Sequence, residues 1–471
     1  MRWVALLVVL VLLGAALGAS AGPAPRRGGT LRVGLNADPP NLDPHQSTAA
    51  VDRQVFQNLF DKLVDINERL EIVPMLATSW QITDGGRTYT FRLRPNVVFH
   101  DGTPFNAEAV KYNFERMLDR AFGSPRFSEV NLVTGVQVVD DLTVRITLEK
   151  PYSPFLAVLS DRAGMMVSPT AARRLGKEAG LFVASGTMGN LVAILAHCGR
   201  GDEVILGDRA HTFVYEAGGI AALGGIHPHP VPVQRDGTLP LEAIRAAIRP
   251  DNIHMPVTRL IALENTQGTV GGVPLTKEYT DAVGAIARAH GLALHIDGAR
   301  IFNAATALNC DVAELVAAAD SVTFCLSKGL CAPVGSVVVG SREFIVRAHR
   351  ARKIVGGGMR QAGILAAAGL IALEKMTGRL AEDHANARRL AEGLAAMPQF
   401  EVDLAQVQTN MVFFSLRPQV PITAYELAER LKRHNVWIMC MDERRFRAVT
   451  HYWIRPEHIE HTLAAIQQET P

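Results

Sequence analysis

Five short apolar runs at residues 203–206, 260–263, 293–296, 321–326 and 336–339 recur through the second half of the chain, with helical patterns between several of them. Parallel strands need long crossovers, usually helices, whereas hairpins need only two residues. This alternation therefore predicts a mostly parallel sheet flanked by helices and excludes an all-helical or all-β fold for that half. Such sheets hold their ligands at the carboxyl ends of the strands. A chain of 471 residues with 48% hydrophobic and 20% charged residues can bury a core of that size and has room for two to four domains.

Three strand-to-helix junctions carry chemistry. Ser185-Gly186-Thr187-Met188-Gly189-Asn190 precedes an apolar helical run. Small residues there leave backbone amides free at the positive end of a helix, as phosphate binding requires, although an ordinary Ser/Thr cap has the same look. His295-Ile296-Asp297-Gly298-Ala299-Arg300 ends a strand. Asp297 suits a cationic ring nitrogen and Arg300 an anionic oxygen; a turn Asp beside a surface Arg is the alternative. In Ser327-Lys328-Gly329 a lysine closes an apolar strand, a placement that suits a Schiff base. Together the three form the set that a pyridoxal-phosphate enzyme needs.

The remaining counts narrow the class. A net charge of +2 offers no basic field for nucleic acid. The five cysteines (198, 310, 325, 331 and 440) form no close pair, which argues against a disulfide framework or a zinc site, and His227-Pro228-His229 lacks further metal ligands nearby. Arg2, an apolar run over residues 3–17 and the small residues Ala19, Ser20 and Ala21 make a signal peptide over residues 1–21, followed by Gly22 and Pro23. Residues 30–35 alternate as a strand does. Tyr89, Phe91 and Leu93, the turn Arg94-Pro95-Asn96 and residues 97–99 read as a hairpin, and residues 107–117 as a helix capped by Asn106. Trp80, Tyr89 and Phe99 are expected to pack rather than to bind ligand.

Two resemblances rest on these residues. Pro74-Met75-Leu76-Ala77-Thr78-Ser79-Trp80, residues 84–94 and Val98-Phe99-His100-Asp101-Gly102-Thr103-Pro104-Phe105 resemble the first lobe of extracellular solute-binding proteins for oligopeptides and dipeptides, over roughly residues 28–176. No second lobe follows. From about residue 176 onward, residues 184–190, 210–219, 294–303 and 325–330 with Pro333-Val334-Gly335-Ser336 resemble low-specificity L-threonine aldolases of the aspartate-aminotransferase-like fold. That resemblance implies a pyridoxal 5′-phosphate-dependent α/β large domain and a small C-terminal α+β domain. By it Lys328 carries the cofactor, Asp297 holds the ring nitrogen protonated, and Ser185, Gly186 and Thr187 seat the phosphate. His211 stacks on the ring and competes with a water as base for the β-hydroxyl proton. Arg300 and Arg447 contact a cofactor oxygen or the substrate carboxylate. The implied reaction cleaves L-threonine, L-allo-threonine or related β-hydroxy-α-amino acids to glycine and an aldehyde, in a dimer or tetramer.

The chain departs from the aldolase pattern twice. Gln267, read as a substrate contact, stands where the family commonly has a histidine, and the family's opening segment is absent between residues 22 and 180. The expected layout is a signal peptide (1–21), a partial solute-binding lobe (22–175), a cofactor-binding large domain (176–345) and a small domain (346–471). The stretch Leu175-Gly176-Lys177 marks the junction, whether natural or an assembly splice. The signal points to export and the aldolase part to the cytoplasm. Two other readings are an exported peptide-binding fragment with a transporter partner, and a chimera with neither activity.

Overall fold

A computed structural model describes residues 43–99, 104–120, 122–166, 175–359 and 363–471. The chain divides into a unit of residues 1–38 and a unit of residues 39–471. The first unit, with the expected signal and the strand at 30–35, lies outside the described residues.

Helix α1 (Ala50–Leu59) is followed by a two-stranded ribbon, β1 (Val64–Ile66) with β2 (Ile72–Pro74). Next come β3 (Ala77–Thr83), β4 (Thr88–Leu93), α2 (Ala107–Leu118), β5 (Val133–Asp140) and β6 (Thr143–Leu148), whose strands form an antiparallel sheet in the order β3-β4-β6-β5. The expected hairpin between 89–93 and 97–99 does not form. β4 pairs with β3 and β6, and Val98 makes only an isolated bridge to Pro104. Asp84, Gly85 and Gly86 take φ of 52°, 64° and 92° and close the β3-β4 turn, while Pro95 has no amide to give a ladder. Asn106 caps α2 as expected, accepting from the Ala109 amide. Tyr89 packs against Phe155 with ring centroids 4.9 Å apart, and Trp80 and Phe99 flank the same core.

The larger sheet has seven strands in the order β7-β13-β12-β11-β10-β8-β9. They are β7 (Ala179–Val183), β8 (Asp202–Gly207), β9 (His227–Val231), β10 (Val257–Glu264), β11 (Ala293–Asp297), β12 (Ser321–Cys325) and β13 (Ser336–Gly340). All five expected strands are present. From β9 to β12 neighbouring strands run parallel; β13 runs opposite to both β12 and β7. β9 escapes a sequence reading because Pro228 and Pro230 cannot donate to a ladder, yet at the sheet edge one side of a strand needs no partner. Helix α3 (Gly186–His197) packs on β12 and β13, and α4 (His211–Val214) follows β8. Helices α5 (Lys277–Ala289) and α6 (Ile301–Leu308) bracket β11, and α7 (Arg342–Ile354) lies against α3. The core includes Ile205, Ile261, Leu294, Ile296, Val322 and Phe324. Leu175 is buried in it, and Lys177 donates to the carbonyls of Val316 and Ala319, so the junction stretch is built into this layer.

At the C-terminus α8 (Leu380–Ala395) and α10 (Pro456–Glu469) cover a sheet ordered β14-β15-β17-β16. Its members are β14 (Phe400–Val402), β15 (Met411–Leu416), β16 (Met439–Cys440) and β17 (Arg445–Val449), with α9 (Ala424–Lys432) between β15 and β16. Phe414 lies 5.7 Å from Phe400 and 4.8 Å from Phe446, forming the centre of that core. Among the described residues no helix is long and apolar enough to cross a membrane.

Candidate active site

The carboxyl ends of the parallel strands gather most of the residues singled out in the sequence. Ser185 is the N-cap of α3, its Oγ accepting from the Met188 amide at 3.2 Å. The amides of Gly186 and Thr187 stand in the first turn, where a helix has no carbonyl of its own to offer them. Ser185 and Thr187 are exposed, so this cradle opens to solvent. Gly189 permits the close fit of helix to sheet, since a Cβ there would meet Thr323 Cγ2 at 2.5 Å.

Asp297 closes β11 and is buried. One oxygen accepts from the Ala299 amide at 3.1 Å and the other from Asn190 Nδ2 at 2.8 Å. The same Asn190 nitrogen donates at 2.8 Å to Glu216 Oε1, which also lies 2.9 Å from His211 Nδ1. Glu216 is buried, its second oxygen has no partner among the described residues, and burial raises its pKa. The hydrogen bond to Glu216 raises the pKa of His211, with burial and the charge of Lys328 opposing. One ligand atom each of His211, Glu216 and Asp297 lies within 4.8 Å of the other two, a spacing that a metal ion could bridge. The Asn190 amide joins the two carboxylates as a donor, which is a role opposite to that of a ligand.

Glu264 ends β10 in register with Asp297. It accepts from the amides of His211 (2.8 Å) and Gly268 (2.9 Å), so it ties the His211 helix to the following turn. Burial and the neighbouring Asp297 push its pKa up to about 7. Gln267 serves that turn instead of facing outward. Its Oε1 accepts from the Thr269 and Val270 amides, and its Nε2 donates to the Arg209 carbonyl and Glu264.

Lys328 follows β12, and its ammonium has no hydrogen-bond or ion-pair partner among the described residues. Arg300 and Arg447, from the loop after β11 and from β17, each bury an Nε without a partner among the described residues. Burial and the charge of Arg447 bring Arg300 down to about 10. The charges of Glu264 and Asp297 act on Arg300 in the opposite sense to that of Arg447. Away from this cluster, His227 and His229 turn Nδ1 toward the buried Glu203, at 3.0 and 3.2 Å.

Asn190, Glu216, Glu264 and His295 received no role from the sequence. An unpartnered amine, free helix amides, a fixed carboxylate and two buried arginine Nε groups without partners among the described residues fit pyridoxal 5′-phosphate and an amino-acid carboxylate.

Comparison with known proteins agrees with that cofactor. Residues 159–417 match the beta-eliminating lyase family, and residues 71–187 match bacterial extracellular solute-binding proteins, family 5 Middle. Low-specificity L-threonine aldolase 1 of Arabidopsis thaliana is 51% identical over 300 residues, covering 63% of this chain and 84% of the relative. The low specificity L-threonine aldolase of Escherichia coli strain K12 is 46% identical over 62% of this chain and 85% of its own length. A threonine aldolase of Leishmania major has the same fold, with a TM-score of 0.52 at 21% identity over 62% of this chain and 84% of that one. The chain therefore belongs to the beta-eliminating lyase and threonine aldolase family of pyridoxal-phosphate-dependent enzymes, with a family 5 solute-binding segment fused ahead of it.

Proposed function

We propose that the chain cleaves L-threonine, L-allo-threonine or a related β-hydroxy-α-amino acid to glycine and an aldehyde. The observation that carries this reading is a free lysine amine and a donor-fixed carboxylate at the carboxyl end of a parallel sheet, together with the buried, partnerless Nε groups of Arg300 and Arg447. Pyridoxal 5′-phosphate, when bound at Lys328, supplies an electron sink for breaking the Cα–Cβ bond. The Gly186 and Thr187 amides with the Ser185 and Thr187 hydroxyls hold its phosphate. Asp297 keeps the ring nitrogen positive, which makes the sink effective. His211 is held by Glu216 through Nδ1, leaving Nε2 to take the β-hydroxyl proton, with a water as the competing base. Arg300 and Arg447 orient the substrate carboxylate.

The test is reconstitution of the purified chain with pyridoxal phosphate. A visible absorption band is expected in the unaltered chain and its loss in Lys328→Ala; a band unchanged in that variant overturns the assignment.

We further infer that turnover is impaired by the fused N-terminus. The working divisions are 22–175, 176–345 and 346–471, behind an exported signal segment at 1–21, with a dimer or tetramer as the assembled form. An opening arm that orients substrate is worth several kcal/mol of barrier, and about 1.4 kcal/mol is a factor of ten in rate. Replacing residues 1–176 with an opening segment of the aldolase type should raise acetaldehyde release from L-threonine; equal rates before and after refute the impairment.

A further inference from the structure

Behind Asp297 runs a line of buried polar side chains that the reaction itself does not touch. Asn190 and His197 lie seven residues apart on α3, two helical turns, and both face the sheet. The Asn190 nitrogen serves Glu216 and Asp297, while its oxygen faces the other way, 3.4 Å from His295 Nε2 on β11. His295 Nδ1 is 2.8 Å from Ser321 Oγ, and Ser321 Oγ is 2.8 Å from His197 Nε2. β11 and β12 are in register with His295 beside Ser321, so the line crosses two strands and returns to the helix. His295 and Asn190 are each 1% exposed, and Ser321 is fully buried.

The roles along this line follow by elimination. A carboxylate oxygen accepts, so Asn190 must turn its NH2 to Glu216 and Asp297 and its oxygen to His295. That oxygen also accepts, so the hydrogen of His295 sits on Nε2. Burial pulls the His295 pKa down to about 3, keeping the ring neutral and leaving Nδ1 a bare acceptor for the Ser321 hydroxyl. The Ser321 oxygen is then free to accept from His197 Nε2, and burial likewise brings His197 down to about 4. Every member is satisfied in one direction only. A rotated Asn190 would set its oxygen against two carboxylates, which favours a proton on Asp297.

We propose that His295 is a positioning residue for the lyase reaction, locking the Asn190 amide with both hydrogens toward the acids and thereby holding Asp297 ionised for the cofactor's ring nitrogen. This rests on the assignment of Asp297 given above.

Two measurements test it. In the full-length chain without cofactor, labelled with 15N-histidine, the His295 signal is identified by its loss in His295→Gln. It should be that of a neutral ring protonated on Nε2 from about pH 5 to about pH 8. A ring protonated on Nδ1 alone, or doubly protonated in that range, overturns the proposal whatever the chain does with cofactor.

In the loaded enzyme, His295→Leu should lower kcat for threonine about tenfold with KM changed less than about twofold. His295→Gln, whose amide still donates to Asn190, should recover to within about threefold of the unaltered kcat. A folded Leu variant with full kcat, or a Gln variant no better than Leu, overturns it. Failure of the unaltered chain to take cofactor at Lys328 refutes the proposed function instead, and the cofactor-free measurement still decides the role of His295.

Discussion

Gly189 is where fold and site meet most tightly. A Cβ at this position would lie 2.5 Å from Thr323 Cγ2, 3.3 Å from Thr323 Oγ1 and 3.4 Å from Val183 Cγ2. Carbon atoms pack at about 3.5 to 4.0 Å, so Gly189→Ala requires α3 and β12 to part by about 1 Å. Thr323 cannot swing aside, because it is fully buried in a strand buried along its whole length and is branched at Cβ. Overpacking of this kind costs about 1–3 kcal/mol, while Ala in place of Gly returns up to about 1 kcal/mol of helix propensity. The net expectation is a loss of about 1–2 kcal/mol in the stability of the large sheet. Cofactor affinity should suffer more, because the same displacement carries Ser185, Gly186, Thr187 and Asn190 away from Asp297.

The partner substitution supplies the control. Thr323→Ala removes both clashing atoms, and the Thr323 hydroxyl has no hydrogen-bond partner among the described residues, so the change forfeits little beyond a methyl worth about 1 kcal/mol. In Gly189→Ala/Thr323→Ala the new Cβ fills the vacated space. Urea unfolding of the four proteins should then give a coupling energy of about 1–2 kcal/mol. The pyridoxal phosphate dissociation constant of the double variant should lie within about threefold of the unaltered one. Losses that simply add would show that helix and strand do not meet as described.

Arg447→Met should raise KM for threonine at least about tenfold, the loss of one charge-assisted bond, while leaving cofactor affinity within about threefold; an unchanged KM removes Arg447 from the substrate site. Glu264 carries a signed pH effect. Its pKa is raised from 4.5 to about 7, so between those values the native state keeps a proton that the unfolded state has released. The Glu264 contribution to stability therefore falls as pH climbs through that window and levels off above it. Urea unfolding of the cofactor-free chain across the window should show a downward slope that Glu264→Gln flattens, and an identical slope in both proteins refutes it.

The class of the fold was legible because apolar runs and helix caps are local. The strands at 203–206, 260–263, 293–296, 321–326 and 336–339, and the Asn106 and Ser185 caps, depend on neighbours within a few residues. The ligand end of the sheet followed from strand polarity alone, which is why Lys328, Asp297 and the Ser185–Thr187 turn were singled out as candidates. Pairing is not local. The partner of β4 depended on which turn closed, and β9, with its two prolines, was admissible only because it ends the sheet. The same limit hid the support behind the site. Asn190, Glu216 and His295 come from three elements far apart in sequence. An amide, a carboxyl and an imidazole acquire donor and acceptor roles only when burial denies them water and leaves one another as partners. The sequence by itself determined which chemistry the strand ends present; the tertiary structure decided which buried groups hold that chemistry in place, because hydrogen-bond roles are settled by neighbours in space and not along the chain.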